Sequence, residues 1–238
     1  FSMYLPKFYK EPISAEEFQV QLDWSIVENN LLVSSGPIQA LMVEGFVEGL
    51  FSLEVPLGDR RLVDDPEIEL MLGVKDSQLK YLPKYLPYTF SENLRGWLEN
   101  GIGEGKLRQG GFIYRGSLLR KKTDYRTVQM FFDFSDIELK YDNNWPPLSA
   151  LDGLVFIDDK NVDMVASVAK LYSSQLENIR VSVWPEPTQG FVLSAAANIY
   201  GTAEDSLRFL YNSPLKGKLG QSFAEWELSG QLKTSLDL

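Results

Sequence analysis

The chain contains no cysteine and no histidine among its 238 residues. Without cysteine there is no disulfide framework and no thiolate chemistry. Without histidine the protein lacks the commonest general base and the commonest neutral metal ligand. These two absences exclude Ser-His-Asp and Cys-His catalytic sites and histidine-based zinc sites. The lack of cysteine suits an oxidising compartment but does not fix one.

Long apolar runs and positive charge are also scarce. No apolar run approaches the roughly 18–20 residues that span a bilayer, and residues 1–5 are too short for a signal peptide. The net charge of −10 argues against nucleic acid as a partner, because phosphate binding needs clustered Lys and Arg. The basic cluster at 120–122, near Arg115 and Arg126, is interpreted as a solvated turn between two strands. Because the chain starts without Met and ends on the alternating segment 228–238, we expect a piece of a longer protein.

Residues 68–81 and 128–141 share one sequence pattern, and the two copies align with each other without an insertion or deletion. Period-2 alternation of apolar residues in both copies predicts β-strands with one apolar face. In each copy an Asp (Asp76, Asp136) interrupts the pattern, Leu-Lys-Tyr follows, and a proline-bearing turn is expected at Pro83 or at 146–147. The alternating residues, our candidates for a lipid groove or a core, are Ile68, Leu70, Leu72, Val74, Val128, Met130, Phe132 and Phe134.

A repeated unit that cannot bury its own apolar face favours stacked units that share one continuous apolar surface. A simple duplication inside a sandwich remains an alternative. Alternating runs with turns every 8–12 residues, beginning with 18–26 and 47–57, predict an antiparallel all-β structure. Three short helices are predicted, capped by Ser91, capped by Thr202 and opened by Pro214, and each would cover a face or edge of the sheet.

The predicted fold class is therefore mainly β, as an elongated, curled, antiparallel-rich sheet that is repeat-like and forms a groove. Roughly 14 strands spaced about 4.8 Å apart would make it about 65–70 Å long. We interpret residues 1–238 as one segment of a longer protein. Its possible sub-units are an N-terminal β segment at 1–63, a first repeat unit at 64–127 with a helix near 91–100, and a second at 128–238 with short helices near 203–221.

The sequence offers little that points to catalysis. The glycines of 101–111 follow a predicted helix instead of opening one, so they are interpreted as a helix stop and a turn, not as a phosphate loop. The acidic groups at 64–69 and 158–163 lack the EF-hand pattern and are interpreted as turn formers. A carboxylate pair for glycoside hydrolysis remains open, but nothing singles one out. We predict no catalytic residue, no metal site and no cofactor.

The apolar face of such a sheet needs something to lie against it. In a sandwich this is a second sheet, and in an open, curled sheet it is lipid tails. Sequence pattern alone leaves both possibilities open.

Residues 82–119 read Leu-Pro, then a short helix with Leu94 and Trp97, then glycines at spaced intervals up to Gly116. The run 141–153, with Trp-Pro-Pro-Leu and Leu-Asp-Gly, is the most specific part, and Ser-Pro-Leu follows at 213–215. With these motifs the chain resembles, over roughly 66–238, the central region of the YhdP family among the AsmA-like proteins of Gram-negative bacteria. The first 60 residues resemble the family only in their strand pattern.

The resemblance implies a periplasmic location in a protein anchored in the inner membrane by an N-terminal helix that is absent here. It implies a non-enzymatic role, in which a hydrophobic β groove carries phospholipid toward the outer membrane. The implied partners are phospholipid acyl chains, the rest of the same polypeptide and other envelope proteins, without nucleic acid. Two alternatives stay open, namely an envelope scaffold with a closed core and a carbohydrate-binding or hydrolysing β-sandwich.

Overall fold

A computed structural model describes residues 1–58, 65–117, 126–188, 190–217 and 225–237 of the chain. The strands and helices are, in chain order, β1 (Ser2–Met3), β2 (Ile13–Ser14), β3 (Glu17–Gln19), β4 (Leu22–Val27), β5 (Asn30–Ser35), β6 (Ile38–Met42), β7 (Gly45–Pro56), β8 (Glu67–Gln78), a 3-10 turn (Leu79–Tyr81), α1 (Leu82–Tyr85), α2 (Glu92–Gly101), β9 (Lys106–Ser117), β10 (Thr127–Leu139), β11 (Leu148–Asp158), β12 (Asn161–Leu171), β13 (Ser174–Glu186), β14 (Gly190–Thr202), α3 (Ala203–Tyr211) and β15 (Gln231–Asp237).

Thirteen strands form one open sheet in which every pairing is antiparallel. Consecutive strands are neighbours from β7 to β15, and the path ends at β4 on one edge and β15 on the other. The prediction of a mainly β, antiparallel fold is confirmed. Because β7 pairs with β8 and β9 with β10, one sheet runs through all three of the suggested sub-units.

The sheet is narrower than its strand count suggests. β5 and β6 both pair with β7, at its two ends. They therefore occupy one strand position in the sheet, interrupted at Gly36-Pro37. β3 and β4 continue each other in the same way, since β3 pairs with β6 and β4 with β5. The single strand predicted over 18–26 is therefore wrong. The path is eleven strands wide, or about 48 Å at about 4.8 Å per strand, instead of the predicted 65–70 Å.

The two copies of the repeat are strands β8 and β10, and their aspartates share one unusual conformation. Asp76 and Asp136 both have φ of 55°, in the left-handed region that Asp tolerates better than most residues. Ala150 and Asn178 take the same conformation toward the same end of β11 and β13, next to irregularities in the ladder. Such bulges bend the strands and increase their twist, which explains why the alternation stops at each Asp.

The two copies diverge after the bulge. Leu79–Tyr81 forms the 3-10 turn that leads into α1, whereas Leu139 is the last residue of β10. Pro83 lies in the first turn of α1, so the proline turn predicted there is wrong, because the fixed φ of proline suits a helix start. The second copy behaves as predicted, with Pro146 and Pro147 directly before β11.

Two of the predicted helix caps are confirmed. The Ser91 hydroxyl accepts a hydrogen bond from the Leu94 backbone N–H at 3.3 Å, and Thr202 Oγ1 accepts one from the Asp205 N–H at 3.1 Å. The glycine interpretation is also confirmed, because α2 ends at Gly101 and β9 starts at Lys106. Of the third predicted helix, residues 215–217 are helical and directly follow Pro214. Leu219 and the basic cluster at 120–122 lie outside the described residues.

The buried core lies at the end of the sheet that carries the bulges near Asp76, Asp136, Ala150 and Asn178, which we call the bulged end. Its buried apolar side chains come from strands β10 to β14 and are Phe134, Ile137, Leu151, Ala166, Ala169, Leu176, Ile179 and Ala197. Within the described residues no helix is both long and apolar enough to cross a membrane.

Candidate functional site

One face of the sheet, which we call the apolar face, carries two adjacent rows that each cross nine strands. In both rows every residue is apolar or glycine. The first row is Ile38, Gly49, Leu72, Phe112, Met130, Ile157, Val162, Val183 and Leu193. The second row is Ala40, Val47, Val74, Gly110, Phe132, Val155, Met164, Val181 and Ala195. Because directly paired residues point to the same side of a sheet, these rows form one continuous apolar surface.

All eight candidate residues predicted from the repeat lie on the apolar face. Leu72 and Met130 belong to the first row and Val74 and Phe132 to the second. Leu70 pairs with Tyr114, which pairs in turn with Val128, so the two copies are joined through β9. Ile68 continues a row through Leu53, Val33 and Trp24 to the β4 edge, and Phe134 continues β10 into the buried core. The register therefore brings the two copies together on one surface.

The apolar face is uncovered over most of its width. Leu193 and Trp24, toward its two sides, are 57% and 71% exposed, whereas Leu72, Met130 and Phe132 are half-buried. The strands make their extensive contacts with the strands to which they are hydrogen-bonded. No second sheet therefore packs on this face within the described part of the chain. The arrangement differs from a sandwich, in which both inner faces are buried.

The bulged end is closed by α3. Over nine residues this helix is about 14 Å long, which matches the three strand spacings from β14 to β11. The Arg208 guanidinium lies 4.0 Å from the ring centre of Tyr172, in the β12–β13 turn. The Phe209 ring lies 5.5 Å from that of Trp145, in the loop between β10 and β11. The helix therefore crosses the ends of the strands next to the core.

Asp205 fastens α3 to the β12–β13 turn. Its Oδ2 accepts hydrogen bonds from the Ser173 N–H at 3.0 Å, the Ser173 hydroxyl at 2.6 Å and the Ser174 hydroxyl at 2.8 Å. The hydrogen bonds from Ser173, followed by those from Ser174, outweigh desolvation and lower the pKa of Asp205 below its usual value of 3.8. The folded protein thus favours the ionised carboxylate.

We expect Asp205→Asn to lower the free energy of unfolding by about 1–2 kcal/mol at neutral pH, because charge-assisted hydrogen bonds become neutral ones. Since the pKa is lower in the folded state, this difference is full above the unfolded pKa and disappears as the pH falls through the folded pKa, below about 4. Urea unfolding of both proteins across this range measures it. Glu204→Gln, on the adjacent exposed residue, serves as the control. A difference that persists in acid would contradict the assignment.

A second clasp holds α1 against the turn between β6 and β7. Lys84 Nζ forms an ion pair with Glu44, and the two side chains are only 20% and 12% exposed. Desolvation alone would raise the pKa of Glu44, but the hydrogen bond and charge of Lys84 lower it overall. Burial, and then the Glu44 carboxylate, raise the pKa of the adjacent Tyr85, so its phenol stays neutral.

Removing Lys84 is expected to leave a poorly solvated, unpaired carboxylate. We expect Lys84→Ala to cost about 2–3 kcal/mol of unfolding free energy, somewhat less than the loss at a fully buried pair. The control is Lys75→Ala, which breaks the Lys75–Glu48 pair of 2.8 Å whose side chains are 50% and 46% exposed. That change is expected to cost under about 1 kcal/mol. Equal losses in urea unfolding would show that the Lys84 clasp is no stronger than a surface pair.

Comparison with known proteins then decides the family. A family model described as YhdP protein matches the chain over residues 1–238. The chain belongs to the YhdP family. The match takes in the first 60 residues, where motifs alone gave only a strand pattern. No curated protein and no solved structure matches the chain significantly.

YhdP proteins are AsmA-like envelope proteins associated broadly with lipid transport, and the family is not known as enzymatic. Two neighbouring carboxylates of this YhdP chain share one structural partner. Asp133 accepts a hydrogen bond from Arg108 Nε at 2.8 Å, and Asp152 Oδ2 lies 4.0 Å from Arg108 Nη1. One guanidinium thus bridges the two acids on the face opposite the apolar rows, which is the arrangement of an ion cluster.

The interpretation of the acidic groups as turn formers holds only in part, because Glu67 and Glu69 lie in β8 and Asp163 lies in β12. Asp159, with φ of 52°, lies in the two-residue turn between β11 and β12 and accepts a hydrogen bond from the Val128 N–H at 2.8 Å. Asp163 accepts one from the Ser182 hydroxyl at 2.6 Å. Within the described ranges of this YhdP chain, no group of three His, Cys, Asp or Glu residues is placed to hold a metal ion. Asp64 lies outside the described residues.

Sequence reasoning named as candidates only four of the eighteen residues in the two rows. It singled out β8 and β10 but not the strands between and beyond them, which supply Phe112, Ile157, Val162 and Val183 to the first row. The strand β12 also alternates, with Val162, Met164 and Ala166 on this face. A comparison of the phase of that alternation with the phase in β10 would have extended the face in the YhdP chain.

Proposed function

We propose that the apolar face of this chain binds phospholipid acyl chains and carries them through the periplasm toward the outer membrane, as part of an inner-membrane-anchored protein. The observation that supports this most is the pair of nine-strand rows without a polar side chain. Nine strands span about 38 Å perpendicular to the strands. Lipid moving along that direction keeps its tails against apolar side chains all the way.

The depth of the face also suits acyl chains. From Val128 to Phe134 the strand β10 rises about 20 Å. One acyl layer of a bilayer is about 15 Å deep, half of the hydrocarbon core. A tail that lies along the strands therefore fits on the described part of the face, with its end against the closed, bulged end.

Movement of lipid along the apolar face requires no catalysis. Each CH₂ kept out of water is worth about 0.8 kcal/mol, so an apolar path lowers the barrier to lipid movement without making or breaking a bond. No catalytic residue or cofactor enters this proposal. The Arg108 cluster supports it indirectly, since it gives Asp133 and Asp152 a structural role.

Organic extraction of the purified chain, followed by mass spectrometry, tests the proposal. We expect stoichiometric phospholipid in the extract and saturable uptake of a fluorescent phospholipid by the stripped protein. A folded protein that carries no lipid and takes up none would overturn lipid binding by this segment. That outcome would favour the envelope scaffold, which should instead require a protein partner.

A further inference from the structure

The face opposite the apolar rows carries a second apolar feature, which we call the outer groove. It has a volume of about 710 Å³ and crosses seven strands, from β6 to β12. Its exposed apolar side chains are Leu50, Met71, Ile113 and Phe156, which are 45%, 52%, 37% and 44% exposed. Contiguous exposed apolar surface of this kind on a folded domain commonly marks an interaction site.

Two glycines form the floor of the outer groove. Gly73 pairs directly with Gly111 across β8 and β9, and Gly111 pairs with Phe131. A Cβ at Gly111 would meet nothing closer than the Leu72 carbonyl oxygen, at 4.0 Å. The floor between Glu48 and Phe131 is therefore bare backbone. The Phe131 ring packs against Phe156, with centres 5.2 Å apart, and forms the wall beyond it.

The charged side chains that line the outer groove are all acidic. They are Glu48, Asp158 and Asp163, and no Lys or Arg of the described chain lines it. Lys75 pairs with Glu48 from outside the groove. Among the described residues, the side chains that donate hydrogen bonds to Asp158 and Asp163 are the neutral ones of Gln129 and Ser182. The groove therefore combines apolar walls with a surplus of negative charge, which repels anionic surfaces and attracts cationic ones.

We propose that the outer groove is a docking site for an amphipathic helix of a partner protein, one whose apolar residues are flanked by Lys or Arg. Seven strands give the groove a length of about 29 Å. A helix of about 19 residues has that length, and a helix laid into an apolar groove is a recurrent mode of recognition. The bare floor accepts one bulky apolar side chain of the helix, and the acidic residues pair with its basic flanks. Six residues of the first row, among them Leu72 and Phe112, also line the groove, but neighbouring residues of a strand point to opposite faces, so their side chains lie on the face that would hold lipid.

The test uses the full chain and a synthetic amphipathic peptide built from Leu and Lys, with a matched peptide in which Glu replaces Lys. We expect the Lys peptide to bind more tightly than the Glu peptide by at least about tenfold. Gly111→Leu, which fills the floor where the structure leaves space, is expected to weaken binding of the Lys peptide by about tenfold and to leave lipid content unchanged. The double variant Glu48→Gln and Asp163→Asn is expected to weaken binding of the Lys peptide further and to make the affinity less dependent on salt concentration. Photo-crosslinks from the peptide should map to 48–50, 71–73 and 111–113.

Three results would overturn the proposal. Binding that is indifferent to Gly111→Leu would place the peptide elsewhere on this acidic protein. Equal binding of the Glu peptide would remove the role of charge. Binding of anionic vesicles that Gly111→Leu abolishes, without binding of the Lys peptide, would assign the surface to a membrane. Loss of lipid binding in Leu72→Asp with the Lys peptide still bound would separate the outer groove from the lipid proposal.

Discussion

Leu72→Asp is expected to abolish the bound phospholipid of the purified protein, while Met71→Asp leaves it in place. The two residues are neighbours in β8 and point to opposite faces. Leu72 is a member of the first apolar row, between Gly49 and Phe112. A carboxylate there would have to be desolvated against an acyl chain, at a cost far above the gain from the few CH₂ groups it touches.

The paired design separates lipid binding from folding. Both side chains retain access to water, so each Asp can stay solvated in the lipid-free protein, and both variants are expected to fold. Circular dichroism and urea unfolding check this before extraction and mass spectrometry. Phe132→Asp, on a different strand of the second row, is expected to repeat the loss. Equal lipid content in Leu72→Asp and Met71→Asp would contradict the assignment of the apolar face.

How far the sequence predicts this fold depends on the range of each interaction. Caps and alternation are local, so Ser91, Thr202 and the strand character of β8 and β10 were readable from neighbouring residues. The shared φ of Asp76 and Asp136 explains the one irregularity that both copies have. A repeat of this kind predicts the apolar face because both copies place their alternating apolar side chains on the same side of the sheet.

The pairing of strands that are distant along the chain could not be predicted from the sequence. That β5 and β6 share β7 depends on residues far apart in sequence, so the width of the sheet was overestimated. The outer groove was missed for the same reason, because its floor joins Gly73 to Gly111 from two strands that a helical insertion separates. Within the glycine-rich segment the sequence does not distinguish Gly110, which faces the apolar side, from Gly111.

The close approach of β11 to β12 leads to the largest expected effect on stability. Gly153 lies on the apolar face between Phe134 and Ala166, both buried. A Cβ at position 153 would lie 2.5 Å from the Val165 carbonyl oxygen and 2.8 Å from the Ala166 Cβ. One of these contacts is to backbone, so relief requires the two strands to separate beside Leu151, which is 1% exposed.

We therefore expect Gly153→Ala to lower the free energy of unfolding by about 3 kcal/mol, at the upper end of the usual cost of overpacking. Gly111→Ala is the matched control, since that Cβ enters the open outer groove. Without strain, the loss of glycine's freedom in the unfolded chain should make Gly111→Ala neutral or more stable by about 0.4–1 kcal/mol. Urea unfolding with an unchanged slope measures both. If the two variants were equally stable, the sheet would tolerate separation at its core, and the bulged end could not serve as the fixed wall against which acyl chains stop.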